Sequence, residues 1–261
     1  MRKTVWAMLP LLLSLLGGCT QLPAVSRDTP VLAEQADVQR RTAIRMELAS
    51  VYYAQAQFGL ALQEVDRALV LSPERADAHG LRGLVLMQMG QDVGAEQSLR
   101  QAMRLDPADP DLQNNMGWFL CRDGKAAAAL PHFDRAVSNK SYASPAKALF
   151  NAGQCSLRGG DAGRAESYLL RAVDADPDQM LAHASLAQLF YKRADYQRAL
   201  KHILPTLSGD QTAADDLLMA IRIERKLGDR AAEESLIARL RRLYPKAPQT
   251  AAIIYGETDE R

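Results

Sequence analysis

Three cysteines and four histidines are the side chains here whose types suit thiol or metal chemistry. Cys121 and Cys155 occupy matching places in two neighbouring stretches. In an oxidising compartment they form a candidate disulfide closing a loop of about 34 residues. The alternative is two small buried hydrophobes, because the two positions differ by two residues in the local register. His79 and His183 share one position of a recurring pattern, and His132 and His202 share another, so the histidines are explained by repetition and imply no metal. The chain holds no G-x-S-x-G, H-E-x-x-H or Walker motif and no Rossmann glycine pattern. No catalytic residues, cofactor or small-molecule substrate are expected, and the chemistry points to binding or scaffolding, not to an enzyme.

The elements that must position these residues are legible between Ala76 and Asp109. There Gly83 and Ala95 are small where two antiparallel helices must touch. Leu86, Leu99 and Ala102 recur at helical spacing on the inward faces, and Pro107 ends the second helix. That order resembles the tetratricopeptide repeat, a 34-residue helix-turn-helix. It recurs from Thr42 with Ala49, Tyr52, Ala61, Val65, Ala68 and Pro73. From Pro110 it gives Gly117, Leu120, Ala129, Phe133 and Ala136, and from Ala146 Gly153, Ala165, Leu169, Ala172 and Pro177. A fifth unit from Met180 is degenerate, with Thr206 at the last small position, and a sixth starts at Ala213. An insertion at Ser144-Pro145 belongs to a connecting loop.

The expected fold is all-α, a right-handed superhelical solenoid of about six repeats. Its units start near residues 42, 76, 110, 146, 180 and 213 of an array spanning 37–247, with a C-terminal tail over 248–261. The composition, 48% hydrophobic, 24% charged and 6% aromatic, suits that class. One repeat cannot bury its own apolar face, so stability comes from stacking. The net charge is +1 with both signs interspersed, and the longest basic runs are pairs, which gives no footprint for nucleic acid.

Arg2 and Lys3 precede an apolar run from Val5 to Leu16, shorter than the roughly 20 residues of a membrane-spanning helix. Residues 1–18 read as a secretory signal peptide. It ends in Leu16-Gly17-Gly18-Cys19, which resembles the lipobox of bacterial lipoproteins. That resemblance implies that the Cys19 thiolate accepts diacylglycerol and that acyl chains, palmitate among them, anchor the mature chain. Thr20, where an Asp would resemble an inner-membrane retention signal, implies the periplasmic face of the outer membrane. Residues 19–36 read as lipidated Cys and flexible tether.

Where first helices line the concave surface of such a superhelix, repeat register nominates the partner-binding side chains. They are Met46, Tyr53, Leu84, Met87, Asn114, Trp118 and Arg122. Tyr53, Leu84, Met87 and Trp118 form an apolar groove suited to an amphipathic helix or extended apolar peptide. Their alternative is burial between helices. A basic strip of Arg122, Arg158 and Lys192 reads either as a site for an acidic segment or as cations at helix C-termini.

Asn114-Asn115-Met116-Gly117-Trp118-Phe119-Leu120-Cys121, Ala152-Gly153-Gln154-Cys155, Leu217-Leu218-Met219-Ala220-Ile221-Arg222-Ile223 and Leu227-Gly228-Asp229 resemble the PilF/PilW family of type IV pilus biogenesis lipoproteins. The resemblance runs from the lipobox through all six units. At Asn139 to Pro145 the chain keeps only Tyr142 and Pro145 of the family's connection. The family implies a pilotin, a lipoprotein that binds the outer-membrane secretin subunit and promotes its localisation and multimerisation; a monomer is expected. The alternative is a general periplasmic scaffold for another envelope complex.

Overall fold

A computed structural model describes residues 28–209 and 212–254. The signal peptide and Cys19 lie outside the described residues, as does the end of the chain from 255. Among the described residues there are thirteen α-helices and no strands. They pair as α1 (Asp28–Ala54) with α2 (Phe58–Leu71), α3 (Ala76–Gln88) with α4 (Asp92–Leu105), and α5 (Pro110–Arg122) with α6 (Ala126–Ser138). Next come α7 (Pro145–Arg158) with α8 (Ala162–Ala175), α9 (Met180–Lys192) with α10 (Tyr196–Thr206), and α11 (Ala214–Leu227) with α12 (Arg230–Leu243). A short α13 (Pro248–Ile254) follows. The architecture is a tetratricopeptide solenoid.

Local chemistry sets the boundaries. The turn inside every pair needs one residue in the left-handed region, and the six are Ala56, Gly90, Gly124, Gly160, Ala194 and Gly228. Each turn is closed by a backbone bond spanning five residues, such as Gln91 N–H to the Leu86 carbonyl at 2.9 Å. The Asp side chains at 109, 161, 195 and 229 accept from backbone N–H groups at the starts of α5, α8, α10 and α12. Pro110 and Pro145 stand at first-turn positions, where no backbone donor is lost.

Packing follows the small-large alternation. Ala61, Ala95, Ala129, Ala165 and Ala199 are fully buried, as are Val65, Leu99, Phe133, Leu169 and Ile203 four residues further along each second helix. Buried clusters run from unit to unit, the largest extending from Cys121 to Ile223. First helices touch in succession, α1 with α3, α3 with α5, α5 with α7 and α9 with α11, while the second helices are spread further apart. The first helices therefore line the inside of the curve. In the inserted connection Tyr142 is buried against Ala136 and Ala148, filling the gap the extra residues open.

Two boundaries differ from expectation. The stretch read as flexible tether is helical from Asp28 onward, because α1 continues the first unit's helix by about four turns toward the N-terminus. The stretch read as tail begins with α13, where Thr250 is buried and Ile253 packs on the cluster of Leu217, Ile221 and Leu240. The helix covers apolar surface that the last pair would otherwise expose.

Candidate partner-binding surface

Repeat register placed seven side chains on the inner surface, and the structure divides them. Met46, Met87 and Asn114 are buried and unavailable to a partner. Met46 belongs to the cluster with Ala49, Val65 and Ala78, and Met87 to the one with Leu99 and Phe119. Asn114 spends its Oδ1 on Asn151 Nδ2 at 2.9 Å, stitching α5 to α7. The physical reason is the tight stacking of first helices, which turns one more face of each helix inward than the isolated repeat suggests.

The other four are reachable and partly committed. Tyr53 packs on Phe58 with centroids 5.7 Å apart, and its hydroxyl accepts from Gln88 Nε2 at 3.4 Å. Leu84 is half-buried beside Met87. Trp118 is half-buried between two core clusters, with the Arg158 guanidinium 5.0 Å above its ring. Arg122 donates to the Met87 carbonyl and to the Asp92 carboxylate. Two cations of the basic strip thus reach back to the preceding unit, Arg122 onto the end of α3 and Arg158 onto α5. They stitch units together instead of forming an open anion site.

Cys121 on α5 and Cys155 on α7 have Cα atoms 5.6 Å apart with their sulfurs in contact, the span of a disulfide. The two-residue offset in register is absorbed by the insertion before α7.

A further exposed apolar surface lies where the register did not nominate one. On α1, Ile44, Leu48 and Val51 form a stripe at i, i+4 and i+7 that is 50%, 37% and 45% exposed, and Val70 on α2 is 81% exposed. In the next units the equivalents of Ile44 and Val51 are Ala78 and Val85, Leu112 and Phe119, Ala148 and Cys155, and Ala182 and Leu189. All of them are buried. These residues are the face on which a preceding repeat stacks, and among the described residues no repeat precedes unit one. A cleft beside it is lined by Arg41, Ile44, Arg45, Arg67, Val70 and Leu71. Its floor is held by Glu64, which accepts from Arg45 at 2.7 Å and Arg67 at 2.5 Å. The signal was present in the sequence as core-type residues at the start of an array. The far end is different, since α12 is rich in Arg and Glu and carries α13.

A second groove lies on the inner surface where α7, α9 and α11 meet, lined by Phe150, Gln154, Ser185, Gln188, Met219 and Arg222 among others. Asp216 borders it, and burial pushes its carboxyl above the usual carboxylate range against the opposing Thr206 hydrogen bond.

Residues 46–110 and 115–179 match the Tetratricopeptide repeat family. The type IV pilus assembly protein PilF of Pseudomonas aeruginosa is 26% identical over 179 residues, 69% of this chain and 71% of that protein. The crystal structure of PilW, a widely conserved type IV pilus biogenesis factor, superposes with a TM-score of 0.72. It is 28% identical and covers 82% of this chain and 98% of its own. The chain is a tetratricopeptide-repeat protein homologous to PilF. A solved structure of Pseudomonas aeruginosa PilF shares the fold, with a TM-score of 0.73 at 23% identity over 84% of this chain and 99% of that one.

Proposed function

We propose that this protein is an outer-membrane lipoprotein of type IV pilus biogenesis that binds the secretin subunit and promotes its localisation and multimerisation. The observation that carries the reading is the joint match to PilF and PilW over most of the array, in sequence and in fold. The mechanism follows from the parts. Cys19 is lipidated, and its acyl chains hold the array at the periplasmic face of the outer membrane, where two membrane signals already suffice for stable anchoring. The open face of unit one, with Ile44, Leu48, Val51 and Val70, takes an amphipathic segment of the secretin where later units receive the preceding helix. Tethering both partners to one surface raises the local secretin concentration, and assembly needs no enzymatic step.

The test pairs two variants in cells that make the secretin. Cys19→Ala leaves the array folded and strands secretin monomers away from the outer membrane. Ile44→Asp leaves the protein at the membrane and abolishes heat-resistant secretin multimers. Unchanged multimers in both variants overturn the reading.

A further inference from the structure

Unit five is closed over two imidazoles. His183 of α9 and His202 of α10 are both buried, with their Nδ1 atoms 3.3 Å apart and ring centroids 5.4 Å apart. Units one, three and four fill the same two positions with pairs that do not set two imidazoles against each other, although burial also lowers the His132 imidazole of unit three. Arg45 and Glu64 are an ion pair in unit one, the Gln113 carboxamide meets His132 Nδ1 at 2.7 Å in unit three, and Leu149 and Tyr168 share the apolar core in unit four.

The hydrogen bonds fix the tautomers. His183 Nε2 lies 3.2 Å from the Pro177 carbonyl, which only accepts, so that nitrogen carries the proton and His183 Nδ1 is a bare acceptor. His202 therefore donates its Nδ1–H to His183. A proton added to His183 turns the acceptor into a second donor and breaks the bond. One added to His202 places a charge among apolar groups, with the Phe190 ring stacked 5.5 Å away.

Among the described residues, the surroundings offer such a charge no counter-ion. On α10 the charged neighbours are Lys201 and Arg198, both cations. The turn from α8 to α9 gives the Pro177 carbonyl, while Asp176 there accepts from the Asp178 N–H. Glu166 on α8 is engaged by Arg193 and Arg198. On α11, Asp216 is hydrogen-bonded by Thr206. Burial first, then His183 and the two cations, hold the His202 imidazole down at about 4. An opened unit five takes up its proton near the ordinary histidine value of about 6.5, so stability present above that value is lost as pH falls toward 4.

The same unit departs from the repeat at three places, two of them with parallels elsewhere, since Ala56 in unit one is also left-handed and Pro131 also lies within α6. Its turn residue Ala194 is held at φ 58°, Pro205 removes a backbone donor within α10, and Thr206 fills a position that is Ala in units one to four.

We infer that His183 and His202 form an acid-sensitive joint: below about pH 6, proton uptake separates α10 from α9 and loosens units five and six, while units one to four stay packed. The groove between α7, α9 and α11 is then reshaped without disturbing the unit-one face, so the joint is independent of the secretin reading.

Hydrogen exchange of the full-length protein in detergent, corrected for intrinsic rates, tests this at pH 7.5 and pH 5. Peptides from α9 and α10 should exchange at least tenfold faster at the lower pH, with α3 and α4 unchanged. His183→Gln, which copies the Gln113–His132 pair, should remove only part of that difference, because burial still disfavours a charge on His202. The double variant His183→Leu with His202→Tyr, which copies unit four, should remove all of it. Uniform loosening of every unit, no change at pH 5, or equal acid sensitivity in both variants would overturn the inference.

Discussion

Gly153 on α7 lies so close to Leu169 on α8 that a Cβ added to the glycine would stand 2.7 Å from Leu169 Cγ and 2.8 Å from Cδ2. The relationship recurs with compensation. Gly83 faces Leu99 and Gly117 faces Phe133, while Ala49 and Ala187 hold the same place opposite the shorter Val65 and Ile203. Gly153→Ala should therefore destabilise by about 1 kcal/mol, the cost of overpacking being partly offset by better helix propensity. Adding Leu169→Val, which removes one methylene from the facing side chain, should recover most of the loss. A thermal unfolding cycle on the four proteins measures the coupling, and strict additivity would contradict the packing account.

The pair Cys121 and Cys155 ties unit three to unit four. The chain-entropy model values a loop of about 34 residues at roughly 3 to 4 kcal/mol. The oxidised protein should be lighter by two hydrogens than the reduced one in intact-mass measurement. Reductant should lower its unfolding midpoint by several degrees. Cys121→Ala should show the reduced midpoint with and without reductant.

Ile44 is a core-type residue on which no described residue of a preceding repeat stacks, and Val70 is an exposed apolar side chain lining the same cleft. Their replacement by Asp should change folding stability by no more than about 0.5 kcal/mol, since neither fills a cavity. A secretin-binding measurement with the purified variants should in contrast show loss of affinity of tenfold or more. Equal binding by wild type and the Ile44→Asp, Val70→Asp double variant would move the site elsewhere on the array.

Ala194 holds a left-handed conformation that four of the six turns give to glycine. That conformation costs a non-glycine residue about 1 to 2 kcal/mol, and a glycine costs about 0.4 to 1 kcal/mol through the unfolded chain. Ala194→Gly should stabilise by roughly 0.5 kcal/mol. Gly160→Ala, with open space around the new methyl group, should lose about 1 kcal/mol for the backbone alone. Denaturant unfolding of both variants reads the two effects with opposite sign.

Much of the fold was legible because each repeat writes its contacts into residue size at fixed spacing. Ala95, Leu99, Ala102 and Pro107 say where a helix packs and where it stops, and repetition removes the ambiguity a single helix would leave. Resemblance at Asn114 to Cys121 carried the family as well. Helix α13 was less legible, because its seven residues are too few to show a period.

The sequence by itself determined the repeat, its register and the small-large pairs that hold each unit, since these depend on neighbours within about 34 residues. Tertiary structure decided which inner-face side chains are free. Met46, Met87 and Asn114 share a register with Tyr53 and Trp118, yet stacking buries the first three, because burial depends on the unit next door. The same physics exposes Ile44 and Val51, whose counterparts are core in later units and which no described repeat precedes. It also brought His183 and His202 together, for their contact runs between two helices whose separation is set by the packing of Ala187 against Ile203.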